Sequence, residues 1–213
     1  DDTGDESFLT MYSGNDTYIQ GVLYWKDDLG VIRPLINAQV SIYDEDVIVD
    51  DYLGTVQTND NGEYFLAFQN QTASTEQGGC DLYIMVTPSC DEVGVRNFVE
   101  GEYSYRYYSQ TIKNVATGST TYINATFDMS TDLGKAFQIH QIAVYASRYF
   151  RTLTDEYLPP VRIMYPINSD NCMYIPIAKV MYLNADAYSS WDVVMNEYGH
   201  HVGHTLGVSS LTP

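Results

Sequence analysis

The sequence predicts an all-β sandwich of about seven antiparallel strands, followed by a smaller α+β region. Three observations carry this. From about residue 15 to 128, short alternating apolar and polar runs are broken by turn residues. The chain holds 20 Tyr, and aromatic side chains fit the pleated, half-buried surface of strands. At Asp128-Met129-Ser130-Thr131-Asp132 the pattern changes to a long stretch without Pro, as a helix requires. With 213 residues, 45% of them hydrophobic and 18% charged, the chain can build one large domain or two small ones.

Residues 1–14 are polar and read as a lead-in. Residues 17–25, 38–43 and 54–58 read as strands, the second with clean alternation. Asn59-Asp60-Asn61-Gly62 contains an Asn-Gly pair, the strongest short-range hairpin signal, so 54–58 and 63–68 are expected to pair across it. Residues 81–87, 103–112 and 120–127 complete the set. Beyond the change of pattern, Ser130, Thr131 and Asp132 are cap candidates for a helix over 133–153 of about five turns with one broad buried face. Pro159-Pro160 stops it. Residues 161–165 and 174–183 read as strands, and Ser189 or Ser190 can cap a last helix running to about His204.

Asp and Glu outnumber Lys and Arg by 28 to 10, a net charge of −18. Nucleic acid is excluded as a partner, because phosphate binding needs a basic face, and anionic membrane surfaces are disfavoured for the same reason. Acidic loops at Asp44-Glu45-Asp46 and Asp50-Asp51 are candidate Ca²⁺ ligands, although no fixed ligand spacing links them. Cys80, Cys90 and Cys172 are an odd set, leaving at least one thiol unpaired within the chain. If the run between Cys80 and Cys90 is a straight strand, its ends stand roughly 25–30 Å apart. A disulfide there would need Pro88-Ser89 to fold back sharply. No apolar run approaches the length of a membrane span, so no insertion is expected. The N-terminus lacks the regions of a signal peptide and reads as a mature end or a boundary.

The phrase Gly21-Val22, then Arg33-Pro34-Leu35-Ile36-Asn37-Ala38-Gln39-Val40-Ser41-Ile42-Tyr43, then Thr58-Asn59-Asp60-Asn61-Gly62-Glu63-Tyr64 resembles a carboxypeptidase-regulatory-like (transthyretin-like) domain. The resemblance covers 15–128. It implies a non-catalytic sandwich appended to a secreted or cell-surface protein.

Near the other end stands Trp191-Asp192-Val193-Val194-Met195-Asn196-Glu197-Tyr198-Gly199-His200-His201. With His in place of Asn196 it would read H-E-x-x-H, in which two His one helical turn apart hold Zn²⁺ and the Glu activates the metal-bound water. Residues 129–213 thus resemble the first half of a zincin metallopeptidase, most closely the gluzincin branch with its H-E-Y-G-H wording. The resemblance implies Glu197 as catalytic base, Asn196 at the first metal-ligand position and His200 at the second. It also implies a strand at 174–183 that pairs with extended peptide substrate.

The donor count falls short. Asn196 offers only an amide oxygen, a weaker zinc ligand than imidazole. Residues 205–213 contain no acidic side chain for a third ligand, and the metzincin third-His position falls on Leu206. Three alternatives stay open, one of them that His204 helps to complete a family-type metal site. Glu197, His200 and His204 could hold a metal on one face, or His201 and His204 are ordinary polar residues favoured near a helix C-terminus. His140, mid-helix among apolar neighbours, is expected to be a core residue. The sequence therefore predicts an exported, truncated or inactivated peptidase-like protein with zinc weak or absent, whose ancestral reaction is peptide-bond hydrolysis on a protein or peptide. The rival expectation is a non-catalytic binding, adhesion or spacer module.

Overall fold

A computed structural model describes residues 16–27, 29–69, 79–99, 101 and 103–208; the expected lead-in at 1–14 lies outside them. The chain forms a β-sandwich with a third sheet and two helices packed at one side. Alternation in β1 (Asp16–Lys26) sends Ile19, Leu23 and Trp25 into the core and Tyr18, Gln20, Val22 and Tyr24 outward. The first half of β1 pairs with β5 (Glu63–Gln69), and the second half with β2 (Ile32–Pro34). On its other edge β1 pairs with β11 (Thr120–Tyr122) and then β12 (Ala125–Asp128), both parallel, so the expected all-antiparallel arrangement is corrected. The facing sheet runs from β4 (Asp51–Gln57) through β3 (Gln39–Asp44) to β6 (Cys80–Thr87). There β9 (Tyr107–Tyr108) and β10 (Ile112–Val115) pair with β6. Ile19, Leu23 and Trp25 from one sheet meet Val40, Ile42, Leu82, Ile84 and Val86 from the other.

Asn59 and Gly62 do make a tight turn, but not a hairpin. The Gly62 N–H donates to Asn59 O, and the Asn59 N–H to Glu63 O. β4 and β5 then enter opposite sheets, because each already pairs along its length with β3 or β1. Gly62 holds φ +76, and a Cβ there would lie 2.4 Å from the Leu23 carbonyl oxygen, so the turn tolerates only glycine.

The third sheet has the order β14 (Met173–Ile175), β15 (Val180–Asn184), β13 (Val161–Ile167), β7 (Val93–Asn97), β8 (Tyr103–Ser104). β7 and β8 come from the segment expected within the sandwich. The chain leaves β6, adds β7 in parallel to β13, and returns. The expected single strand over 103–112 is three short strands in two sheets, and the one over 174–183 is a pair, β14 against β15. Helix α1 (Asp132–Thr154) lies between the two halves. Thr131 caps it, its Oγ1 accepting from the Gly134 N–H at 3.0 Å, and Asp155 ends it at φ 58.

Instead of one broad buried face, α1 buries two stripes. Ala136, Ile139, Ala143 and Ala146 pack on the third sheet. Phe137 enters the sandwich core, its ring 4.2 Å from that of Phe127. The Gln141 amide clasps Ile36, accepting from its N–H at 3.0 Å and donating to its C=O at 2.8 Å. Arg148 reaches Asn37 at 2.9 Å and Asp60 at 2.6 Å. These contacts join both halves through one helix.

Candidate functional site

Helix α2 (Trp191–Thr205) carries the peptidase-like motif. Ser190 caps it as expected, accepting from the Val193 N–H. Val194, Tyr198 and His201 recur at three- and four-residue spacing and face the core, so the motif is read first by packing. Tyr198 shares a hydrogen bond with Ser147 on α1, and the Ser147 Oγ donates to Glu92 at 2.9 Å. Burial pushes the Tyr198 hydroxyl up to about 12, Glu92 adding to the effect.

The expected site residues divide. Asn196 and His200 are exposed, His204 is half-buried and Glu197 is only 7% exposed. Glu197 accepts from the Tyr174 backbone N–H on β14 and from the Asn196 side chain. Burial raises its pKa above the ordinary carboxyl range, while His200 and these two hydrogen bonds oppose the rise. Asn196 therefore acts on Glu197 as a hydrogen-bond donor. Glu197, His200 and His204 do not converge: among the described residues, no three His, Cys, Asp or Glu side chains are placed to share a metal ion.

His201, expected to be an ordinary polar residue at a helix end, is fully buried. Its Nε2 lies 2.9 Å from the Pro159 carbonyl oxygen, which only accepts, so Nε2 carries the proton. Its Nδ1 then accepts from the Tyr174 hydroxyl at 2.9 Å. Burial lowers the His201 pKa, with Lys179 and His204 adding and the Pro159 bond opposing. The ring is a neutral bolt between α2, β14 and the loop before β13. His140 is the expected core histidine: it accepts from Gln141 Nε2 at 3.0 Å, and burial pushes it down to about 3. Its Nε2 has no hydrogen-bond partner among the described residues.

Beside α2 a cleft of about 380 Å³ is lined by Asp170, Cys172, Asn184, Asp192, Asn196 and Glu197. Burial raises the Cys172 thiol pKa and Glu197 raises it further, opposite to what a nucleophilic thiolate needs. Cys80, Cys90 and Cys172 form no disulfide with one another. In the acidic loops, Asp50 accepts from the Tyr83 hydroxyl at 2.6 Å and from the Asp46 N–H. Asp44 accepts from the Asp81 N–H, and Glu45 pairs with Lys113. These carboxylates hold the β3–β4 loop against β6.

The larger cleft, about 860 Å³, lies on the outer face of the β5–β1–β11 sheet. Gln20 on β1 stands opposite Phe65 on β5 and opposite Tyr122 on β11. The three side chains form one cross-strand row, with Glu63, Asn59 and Asn124 around it. Tyr122 is 64% exposed and Phe65 43%. The floor is rigid: Tyr64 donates to the Ile123 carbonyl at 2.7 Å, and Asn124 Oδ1 accepts from the Val22 N–H at 2.7 Å. A Cβ on Gly21 would lie 1.9 Å from the Ile123 carbonyl oxygen, so glycine allows this close approach. Gln20 and Tyr122 make no side-chain hydrogen bond with the described residues, and no Lys or Arg lines the cleft. Sequence reading missed this site. Its trace is an aromatic at the outward positions Phe65 and Tyr122, where a solvent-facing strand position is ordinarily polar.

No protein-family model matches the chain, and no curated protein matches it in sequence. Among solved structures it is similar to a 9R-lipoxygenase from Cyanothece PCC8801, at 18% identity over 68% of this chain, with a TM-score of 0.36. It is also similar to the shaft pilin spaA from Lactobacillus rhamnosus GG, at 16% identity over 52% of this chain and a TM-score of 0.34. A third is the dioxygenase domain of a dioxygenase carbohydrate-binding protein fusion from Streptomyces sp. SirexAA-E. It shares 8% identity over 56% of this chain and 83% of its own, with a TM-score of 0.33. The chain spans 26% of the lipoxygenase and 48% of the pilin. Likenesses this loose carry no argument about activity. The carboxypeptidase-regulatory-like and gluzincin resemblances are nonetheless corrected. No family model supports either, and among the described residues the metal-ligand set is not assembled. The physical reason is the use of the motif for packing: Tyr198 and His201 face the core, and Glu197 is tied to β14.

Proposed function

We propose that this chain is a non-catalytic recognition module whose binding surface is the outer face of the β5–β1–β11 sheet. One observation carries the proposal: the Phe65–Gln20–Tyr122 row sits in the larger cleft with the Gln20 amide and Tyr122 hydroxyl not engaged by the described residues. A rigid floor with uncommitted polar groups and exposed aromatic rings is the arrangement that binding surfaces use, because little ordering cost opposes association. The strongly acidic composition fits a chain acting outside the cell or on its surface. No helix among the described residues is long and apolar enough to cross a membrane.

The test is binding of wild-type protein, Tyr122→Ala and Glu197→Gln to arrays of immobilised oligosaccharides and peptides. Binding is expected to fall with Tyr122→Ala and to persist with Glu197→Gln. Binding that survives the first change and disappears with the second would move the site to α2 and end the proposal.

A further inference from the structure

We infer that the ligand of this face is a neutral oligosaccharide that lies across β5, β1 and β11. This rests on the recognition role proposed above and narrows it. Charge is the first argument. Among the described residues the cleft offers no cation; it carries the Glu63 carboxylate and belongs to a chain of net charge −18, so an anionic glycan or a phosphate is repelled. Chemistry is the second. Gln20, Asn59 and Asn124 are amides: Gln20 can both donate and accept, as a sugar hydroxyl also does, while Asn59 and Asn124, whose oxygens accept backbone N–H groups, offer their amide N–H groups. Asn59 Nδ2 already donates to the Glu63 carboxylate at 2.8 Å, and Asn124 is held through its Oδ1, so these groups are pre-placed.

Shape is the third argument. Phe65 and Tyr122 share one register on either side of β1, so about 10 Å separates their Cβ atoms at two strand spacings. That is the span of two linked hexose rings. The electron-rich ring faces suit the positively polarised C–H faces of sugar rings, and the Tyr18–Phe65 stack, with centroids 5.8 Å apart, extends the platform along the strands. An extended peptide would be expected to add to a sheet edge, here the outer edge of β5 or β11, whereas the cleft lies on the sheet face, over a β1 that is laddered on both sides.

Isothermal titration and amide NMR would use three probes: neutral hexasaccharides (β-1,4-glucose, β-1,4-N-acetylglucosamine and α-mannose), oligogalacturonate, and a proline-rich dodecapeptide. At least one neutral hexasaccharide is expected to bind and shift signals of β1, β5 and β11. Tyr122→Ala should weaken it about tenfold and Gln20→Ala severalfold, both variants keeping the wild-type melting temperature. Tyr108→Ala, on the opposite sheet, should bind as wild type. Binding of only oligogalacturonate or the peptide at this face would overturn the ligand class while leaving the recognition role standing. Neutral-sugar binding indifferent to Tyr122→Ala would also overturn it. No perturbation of this face by any probe would remove both.

Discussion

Helix α2 and the outer face of β1 make an instructive pair. The first holds the residues that attract a chemist: a buried carboxylate, three histidines and a cysteine cleft nearby. Yet its buried groups are engaged inside the protein. Glu197 is bonded to β14, and His201 to Tyr174 and Pro159. The second region holds a glutamine and two aromatics of no evident catalytic value, and it is there that polar groups and open surface coincide. The opposite face of the sandwich makes the same point. Tyr43 and Tyr83 stack at 5.3 Å and 11°, covering each other's rings, and the Tyr83 and Tyr52 hydroxyls are engaged by Asp50 and Thr55. Residue type alone does not mark a site; what remains uncommitted after folding does.

The contrast can be broken at several points. The largest effect is expected where the two halves share a core. Phe137→Ala should cost about 3–5 kcal/mol, and both halves should still melt together in urea followed by circular dichroism and fluorescence. Two separate transitions would show that α1 does not unite them. Next, His201→Ala should cost about 2–4 kcal/mol, because it opens a cavity and strands the Tyr174 hydroxyl and the Pro159 carbonyl.

Acid should act through the buried histidines. Their folded pKa values lie below the unfolded value near 6.5, so below that pH the unfolded chain binds more protons and stability declines. For His140 the loss should run at about 1.4 kcal/mol per pH unit down toward 3. The raised pKa of Glu197 works the other way and softens the slope. Urea midpoints between pH 7.5 and 4.5 should flatten in His140→Gln; an unchanged slope would mean that another group carries the acid response. The smallest effects sharpen the comparison most. His200→Ala and Tyr122→Ala, both at exposed positions, should each change stability by less than about 0.5 kcal/mol. A cost for His200→Ala as large as that for His201→Ala would return the structural weight of the motif to its exposed side.

Much of the fold was readable in advance. Alternation located β1, β3, β4, β5 and β6, and the cap at Thr131 and the Pro-free stretch located α1. The strands β2 and β7 were missed. β2 spans only Ile32–Pro34, and Val93-Gly94-Val95-Arg96-Asn97 is too short and broken by glycine to give a period. Of the site residues, the sequence placed Asn196, Glu197 and His200 on one helix, which was right. It could not tell that His201 faces inward, because helical spacing fixes relative direction and not which face meets the core.

By itself, the sequence determined what depends on near neighbours along the chain: alternating strands, helix caps, the glycine turn at Gly62 and the acidic balance. Local sterics and hydrogen bonding decide those. Only the tertiary structure decided the parallel pairing of β1, the transfer of β7 into the third sheet, and the row that joins Phe65, Gln20 and Tyr122. Those residues stand 45 and 57 positions apart along the chain. Their meeting depends on sheet register, which is set by burial across the whole sandwich.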